Sequence, residues 1–162
     1  MYISMFVSAC QLRYINLLPD QKDVIVDVQQ DIALGTIRRP KTLAVIMGNQ
    51  TYSKKLWDAE YAVRDAEWMK EYIMRRMGVL PENVIMMNNL TLSQFQSLFG
   101  VQGGDVKSSR LNRRLPDRDW DVIVYFSGHG ATDANERSGY LLPVDADPDY
   151  LSSTAYRLDA LY

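Results

Sequence analysis

The sequence predicts an α/β fold, a mostly parallel β-sheet covered by helices on both faces. Three observations carry that prediction. Apolar runs of strand length alternate with stretches of helical period, in the order strand, helix, strand, helix, strand, and parallel sheets with helical crossovers read this way. The strand runs are continuously apolar rather than alternating, as expected of strands buried on both faces. The longest periodic stretch repeats apolar residues at three- and four-residue spacing, which gives a helix one apolar face.

Residues 1–40 read as an N-terminal extension or linker outside the core. Ile3, Met5, Phe6 and Val7 are apolar and lead into Ser8-Ala9-Cys10. Val7-Ser8-Ala9-Cys10 resembles the lipobox at which bacterial lipoprotein precursors are cut and lipidated. Small residues before the cysteine suit a narrow peptidase site, although the apolar run is short and no positive stretch precedes it. Residues 1–10 are thus a candidate lipoprotein leader, and lipidated Cys10 is the one expected route to a membrane. The alternative is an N-terminal segment with a free thiol. Pro19 to Arg39 shows no long period, with a short strand expected around Val24-Ile25-Val26.

Thr42 to Met47 predicts the first core strand, ended by Gly48-Asn49-Gln50. A helix is expected over about Trp57 to Met77, with Ala59, Ala62, Val63, Ala66, Met69, Ile73 and Met77 on one face. Gly78 stops it and Pro81 lies just beyond. Val84 to Met87 is the second strand, and Thr91 caps a short helix through Phe99. Gly100 to Ser109 reads as a loop. Arg110, Arg113, Arg114 and Arg118 are interspersed with Asp117, Asp119 and Asp121 and lack an aromatic stacking platform, so they read as a solvated face and nucleic acid is not an expected partner. Asp121 to Val124 is the third strand. Thr154 to Tyr162 reads as the opening of a further helix.

Composition narrows the function classes. With 47% hydrophobic and 23% charged residues, the chain is able to build one domain with a real core. A net charge of -2 gives no strong pull toward nucleic acid or anionic membrane. One cysteine excludes an intramolecular disulfide, and one histidine argues against structural zinc. No stretch is apolar for the length a membrane span needs. Neither GxGxxG nor GK[ST] occurs, which argues against a nucleotide-binding domain of similar topology.

The chemistry is expected at Tyr125-Phe126-Ser127-Gly128-His129-Gly130. His129 is the only histidine, and it stands just past the carboxyl end of a strand, where α/β folds place their sites. Gly128 and Gly130 leave the backbone free for close approach to a ligand. A serine nucleophile at Ser127 is not expected, because a serine and histidine two residues apart on one extended segment have poor geometry for it.

This segment, with Gly139-Tyr140-Leu141-Leu142-Pro143-Val144-Asp145 after it, resembles the large-subunit half of the caspase and metacaspase-like cysteine peptidases, most closely their bacterial branch. Leu43 to Asn49 with Tyr52 is similar to that family's first core strand and following loop, and Ala62-Val63-Arg64-Asp65-Ala66 to its first helix. Asp145 to Pro148 with Thr154-Ala155-Tyr156 fits the segment after the histidine strand. The resemblance covers Lys41 to Tyr162 in the family's order.

It implies a caspase-like three-layer sandwich over residues 41–162, truncated at the C-terminus, and a cysteine endopeptidase. His129 would be the general acid/base and the Gly130 N–H an oxyanion donor. In the metacaspase branch, positions matching Asp65 and Ser127 line the S1 pocket, and an acidic pocket favours Arg or Lys at P1. Arg64 adjoins Asp65, so only one of the two is expected to face the pocket. The family's nucleophilic cysteine lies beyond the last matching segment, while Cys10 lies upstream. The chain is therefore expected to be inactive alone, its partners being a peptide substrate and the missing C-terminal half of the domain. The competing expectation is a non-catalytic caspase-like scaffold. No cofactor is expected. Calcium at Asp145, Asp147 and Asp149 is the one candidate, set against a plain acidic turn, since the glycine and closing glutamate of a calcium loop are lacking. The compartment is open between bacterial cytoplasm and cell envelope.

Overall fold

The computed structural model describes residues 3–8, 32, 34–53, 55–101, 103–104, 106–117, 119–133 and 138–161. Cys10 and the strand expected around Val24-Ile25-Val26 lie outside them. Among the described residues four strands form the main sheet: β1 (Ile3–Ser8), β2 (Thr42–Gly48), β3 (Val84–Asn88) and β4 (Asp121–Ser127). All run parallel, in the order β1-β4-β2-β3. α1 (Ala62–Arg75) links β2 to β3; α2 (Leu92–Phe99) and α3 (Arg110–Arg114) precede β4. A smaller antiparallel sheet follows, formed by β5 (Gly130–Asp133), β6 (Ser138–Leu141) and β7 (Tyr156–Arg157), with α4 (Leu151–Thr154) before its last strand. Ile3–Ser8, set apart from the core in the sequence, pairs along its whole length with β4, from Ile3 opposite Val122 to Ser8 opposite Ser127. An apolar run there covers the otherwise open edge of a central strand.

The pleat of the central strands sorts their side chains into two cores. Val122, Val124 and Phe126 of β4, with Val45 and Met47 of β2, face Phe95, Leu98 and Phe99 of α2. Ile123 and Tyr125, with Ala44 and Ile46, face Ala66 and Ile73 of α1 on the other side. The result is the expected three-layer α/β arrangement. Phe95 anchors the first core, its ring 6.0 Å from Phe126 and 5.7 Å from Tyr156. Such aromatic pairs add about 0.5–1.5 kcal/mol each beyond area burial.

Two elements differ from the sequence expectation. α1 begins at Ala62 rather than Trp57. The Asp58 carboxylate accepts the Tyr52 N–H at 3.0 Å and the Ala59 N–H donates to the Gln50 carbonyl at 2.9 Å. Those bonds tie residues 57–61 to the loop after β2 and take groups that a longer helix would need. The helix expected over Thr154 to Tyr162 is interrupted: Ala155 is extended at φ -116°, ψ 160°, β7 follows it, and the helical part is a short 3-10 turn at Leu158–Leu161. Tyr156 buries its ring in the α2 core and donates its hydroxyl to the Gly100 carbonyl at 3.1 Å. That packing outweighs local helix propensity.

Candidate active site

The carboxyl ends of β2, β3 and β4 lie side by side, with Gly48 opposite both Asn88 and Ser127. The loops leaving this edge build the site, as the parallel sheet dictates. α1 closes onto it because position 48 is glycine. A Cβ there would lie 2.7 Å from the Ala62 carbonyl and 2.9 Å from the Ala66 side chain. Asn49 is fully buried and ties two of the loops together. Its Oδ1 accepts the Leu90 N–H at 2.8 Å, and its Nδ2 donates to the carbonyls of Leu90 at 3.3 Å and Leu142 at 3.2 Å. Asn89, at φ 53°, accepts the Gln50 and Thr51 N–H groups on its side chain. Asparagine tolerates that left-handed backbone better than most residues.

His129 leaves β4 into a cleft of about 400 Å³ whose wall includes residues 57–62 and Ser127. Its Nε2 lies 2.8 Å from the Trp57 carbonyl. A carbonyl only accepts, so Nε2 carries the proton. In the neutral ring Nδ1 then holds the free lone pair. The imidazole is thereby anchored at Nε2. The His129 backbone N–H donates to the Tyr52 hydroxyl at 2.8 Å, and the two rings are 4.6 Å apart. Burial pushes the Tyr52 phenol up to about 12, the bond from His129 pulling the other way. Tyr52 is therefore a neutral partner at working pH.

Of the four residues expected to form the site, Ser127 and His129 line this cleft, Asp65 is bonded to Ser127, and Gly130 follows His129 in the chain. Ser127 is buried, and its hydroxyl donates to Asp65 Oδ2 at 3.3 Å. Arg64 is exposed, with its guanidinium 4.8 Å from the centre of the Tyr61 ring. Of the two neighbours it is Asp65 that turns to β4. Burial, and then the Asp65 charge, raises the Tyr125 phenol. Gly130 is the first residue of β5, the edge of the small sheet. The Leu142 N–H donates to the His129 carbonyl at 3.0 Å, which puts 129 and 142 in the register of a hydrogen-bonded pair with one of its two direct bonds made. The next pair, Gly130 and Leu141, is then non-hydrogen-bonded, and the Gly130 N–H points away from β6. A Cβ at Gly130 would meet only the Tyr140 carbonyl, at an ordinary 3.4 Å. No internal contact demands that glycine.

The caspase-domain family model matches residues 41–159. The chain belongs to the caspase-domain peptidases. No curated protein matches it. Family membership carries a cysteine-peptidase type of activity on protein substrates. It gives the α/β sandwich and the histidine loop a common account.

Two contributors to this caspase-domain site were not expected from the sequence. The Trp57 carbonyl is one; backbone groups leave no mark in sequence, and Trp57 looked like a helix residue. Tyr52 is the other, and its place four residues after the β2 glycine was the available signal. The carboxylates of the acidic turn are engaged within the protein. Asp145 accepts the Leu92 N–H at 2.9 Å, Asp147 accepts the Asp149 N–H at 3.1 Å, and Lys55 pairs with both Asp147 and Asp149. No three acidic, histidine or cysteine side chains converge on a metal site among the described residues.

Proposed function

We propose that the protein is a cysteine endopeptidase that cuts after Arg or Lys. His129 is the general acid/base, taking and returning a proton at Nδ1. The Gly130 N–H stabilises the oxyanion, where a single well-placed donor contributes about 2.7–4 kcal/mol. The Asp65 carboxylate, held by Ser127, forms the acidic end of the S1 pocket. The observation that carries the reading is the Nε2 bond to the Trp57 carbonyl, which anchors His129 in the wall of a cleft that Ser127 also lines. The turn of Asp65 toward Ser127 supports the basic P1 preference. The second reading is a non-catalytic caspase-like binding module.

The test is cleavage of fluorogenic peptides with Arg, Lys or Asp at P1 by the protein expressed from its full reading frame, beside Asp65→Asn. A charge-assisted hydrogen bond contributes roughly 1.5–3 kcal/mol, so Asp65→Asn should lower kcat/KM on Arg peptides by about tenfold to a hundredfold. Cleavage after Asp instead would remove Asp65 from the pocket. Binding of peptide without cleavage would favour the binding module.

A further inference from the structure

Tyr52 stands between two backbone groups that would otherwise bond each other. The Leu142 N–H donates to the His129 carbonyl, and in an antiparallel ladder the return bond would run from the His129 N–H to the Leu142 carbonyl. The Tyr52 hydroxyl takes that place. It accepts the His129 N–H at 2.8 Å and donates to the Leu142 carbonyl at 3.3 Å. The same oxygen occupies the space beside Gly128, where a Cβ would come within 2.6 Å of it. The Tyr52 N–H, at the other end of the residue, donates to Asp58, next in sequence to the Trp57 whose carbonyl holds the imidazole. Tyr52 therefore touches both attachments of His129: its main chain directly, and the Trp57 loop through Asp58.

We propose that Tyr52 is a positioning residue for His129. Its hydroxyl spaces the His129 backbone away from β6, which keeps Nε2 on the Trp57 carbonyl. Without the hydroxyl, the His129 N–H closes directly onto Leu142 and draws the ring off Trp57. The catalytic meaning of this role rests on the peptidase reading; the geometry stands without it.

His129 is the only histidine, so ¹⁵N-histidine labelling yields a single imidazole. In the unaltered protein with the ring neutral, Nε2 should show the shift of a protonated nitrogen and Nδ1 that of a bare one. In Tyr52→Phe both shifts should move toward the values of a tautomer-averaged ring. Tyr156→Phe is the control. It also removes a buried phenol hydroxyl, one bonded to Gly100, and should leave the imidazole signals in place. Unmoved signals in Tyr52→Phe, or equal movement in Tyr156→Phe, overturn the proposal. Should Tyr52→Phe fail to fold, the unaltered protein decides: a His129 amide that exchanges as fast as an exposed one is incompatible with the role. None of these readouts needs turnover, so they stand or fall apart from the peptidase reading. Where the protein cleaves peptides, Tyr52→Phe should lower kcat and leave KM nearly unchanged.

Discussion

Replacing Asn49 with alanine should cost more stability than any surface change near the cleft. The side chain is fully buried and makes three hydrogen bonds, to the Leu90 N–H, the Leu90 carbonyl and the Leu142 carbonyl. Each bond contributes about 1 kcal/mol net, and the Leu90 N–H left without its acceptor costs a further 1–3 kcal/mol or so, which sums to about 4–6 kcal/mol. For a domain of this length each kcal/mol moves the melting point by roughly 2–4 °C, so Asn49→Ala should melt about 10 °C or more below the unaltered protein. Circular dichroism during a thermal scan reads this directly. Asn49→Asp sharpens the test. It keeps the acceptor for Leu90 but turns a second oxygen on two carbonyls. The buried carboxyl therefore favours its protonated form, and the loss relative to asparagine should grow as pH rises above about 4. A melting point within 2 °C or so of the unaltered protein for Asn49→Ala would refute the reasoning, since it would leave less than about 1 kcal/mol for all three bonds.

Other expectations follow from the same geometry. Gly128→Ala places a Cβ 2.6 Å from the Tyr52 hydroxyl and 2.8 Å from the Phe126 ring, at φ 156°; overpacking of this kind costs about 1–3 kcal/mol, and an unchanged melting point would contradict it. Burial raises the Tyr52 and Tyr156 phenols to about 12. The unfolded chain loses these protons near the ordinary value, so folding stability should fall as pH rises from about 10 through about 12. Denaturation midpoints across that range check the slope, which Tyr156→Phe should flatten. Lys55→Ala removes the pairs with Asp147 and Asp149, but Lys55 and Asp149 are more than half exposed; the change should stay under about 1 kcal/mol and fade in high salt, and a larger loss on urea unfolding would count against a merely solvated turn.

The strands and their burial were legible because a parallel sheet buries both faces. Thr42 to Met47 and Asp121 to Val124 could be read as continuous apolar runs for that reason alone. The cap at Thr91 was legible too, since the Gln94 side chain returns the bond to the Thr91 N–H. Residues 57–61 were not, because Ala59 and Ala62 keep a helical spacing that the Asp58 and Gln50 bonds override. Nor was β7, whose tyrosine is placed by the α2 core rather than by its neighbours in sequence. At the site, the types and spacing of Asp65, Ser127, His129 and Gly130 were visible. The Trp57 carbonyl that fixes the tautomer was not, since a backbone oxygen belongs to no residue type.

The central claim is that His129 is the acid/base of a peptidase. It is tested most directly by assaying Arg-peptide cleavage by the protein from its full reading frame beside His129→Ala, with folding of the variant checked by its melting curve. The account predicts cleavage that the substitution abolishes in a folded protein. Cleavage that survives in a folded His129→Ala would contradict it.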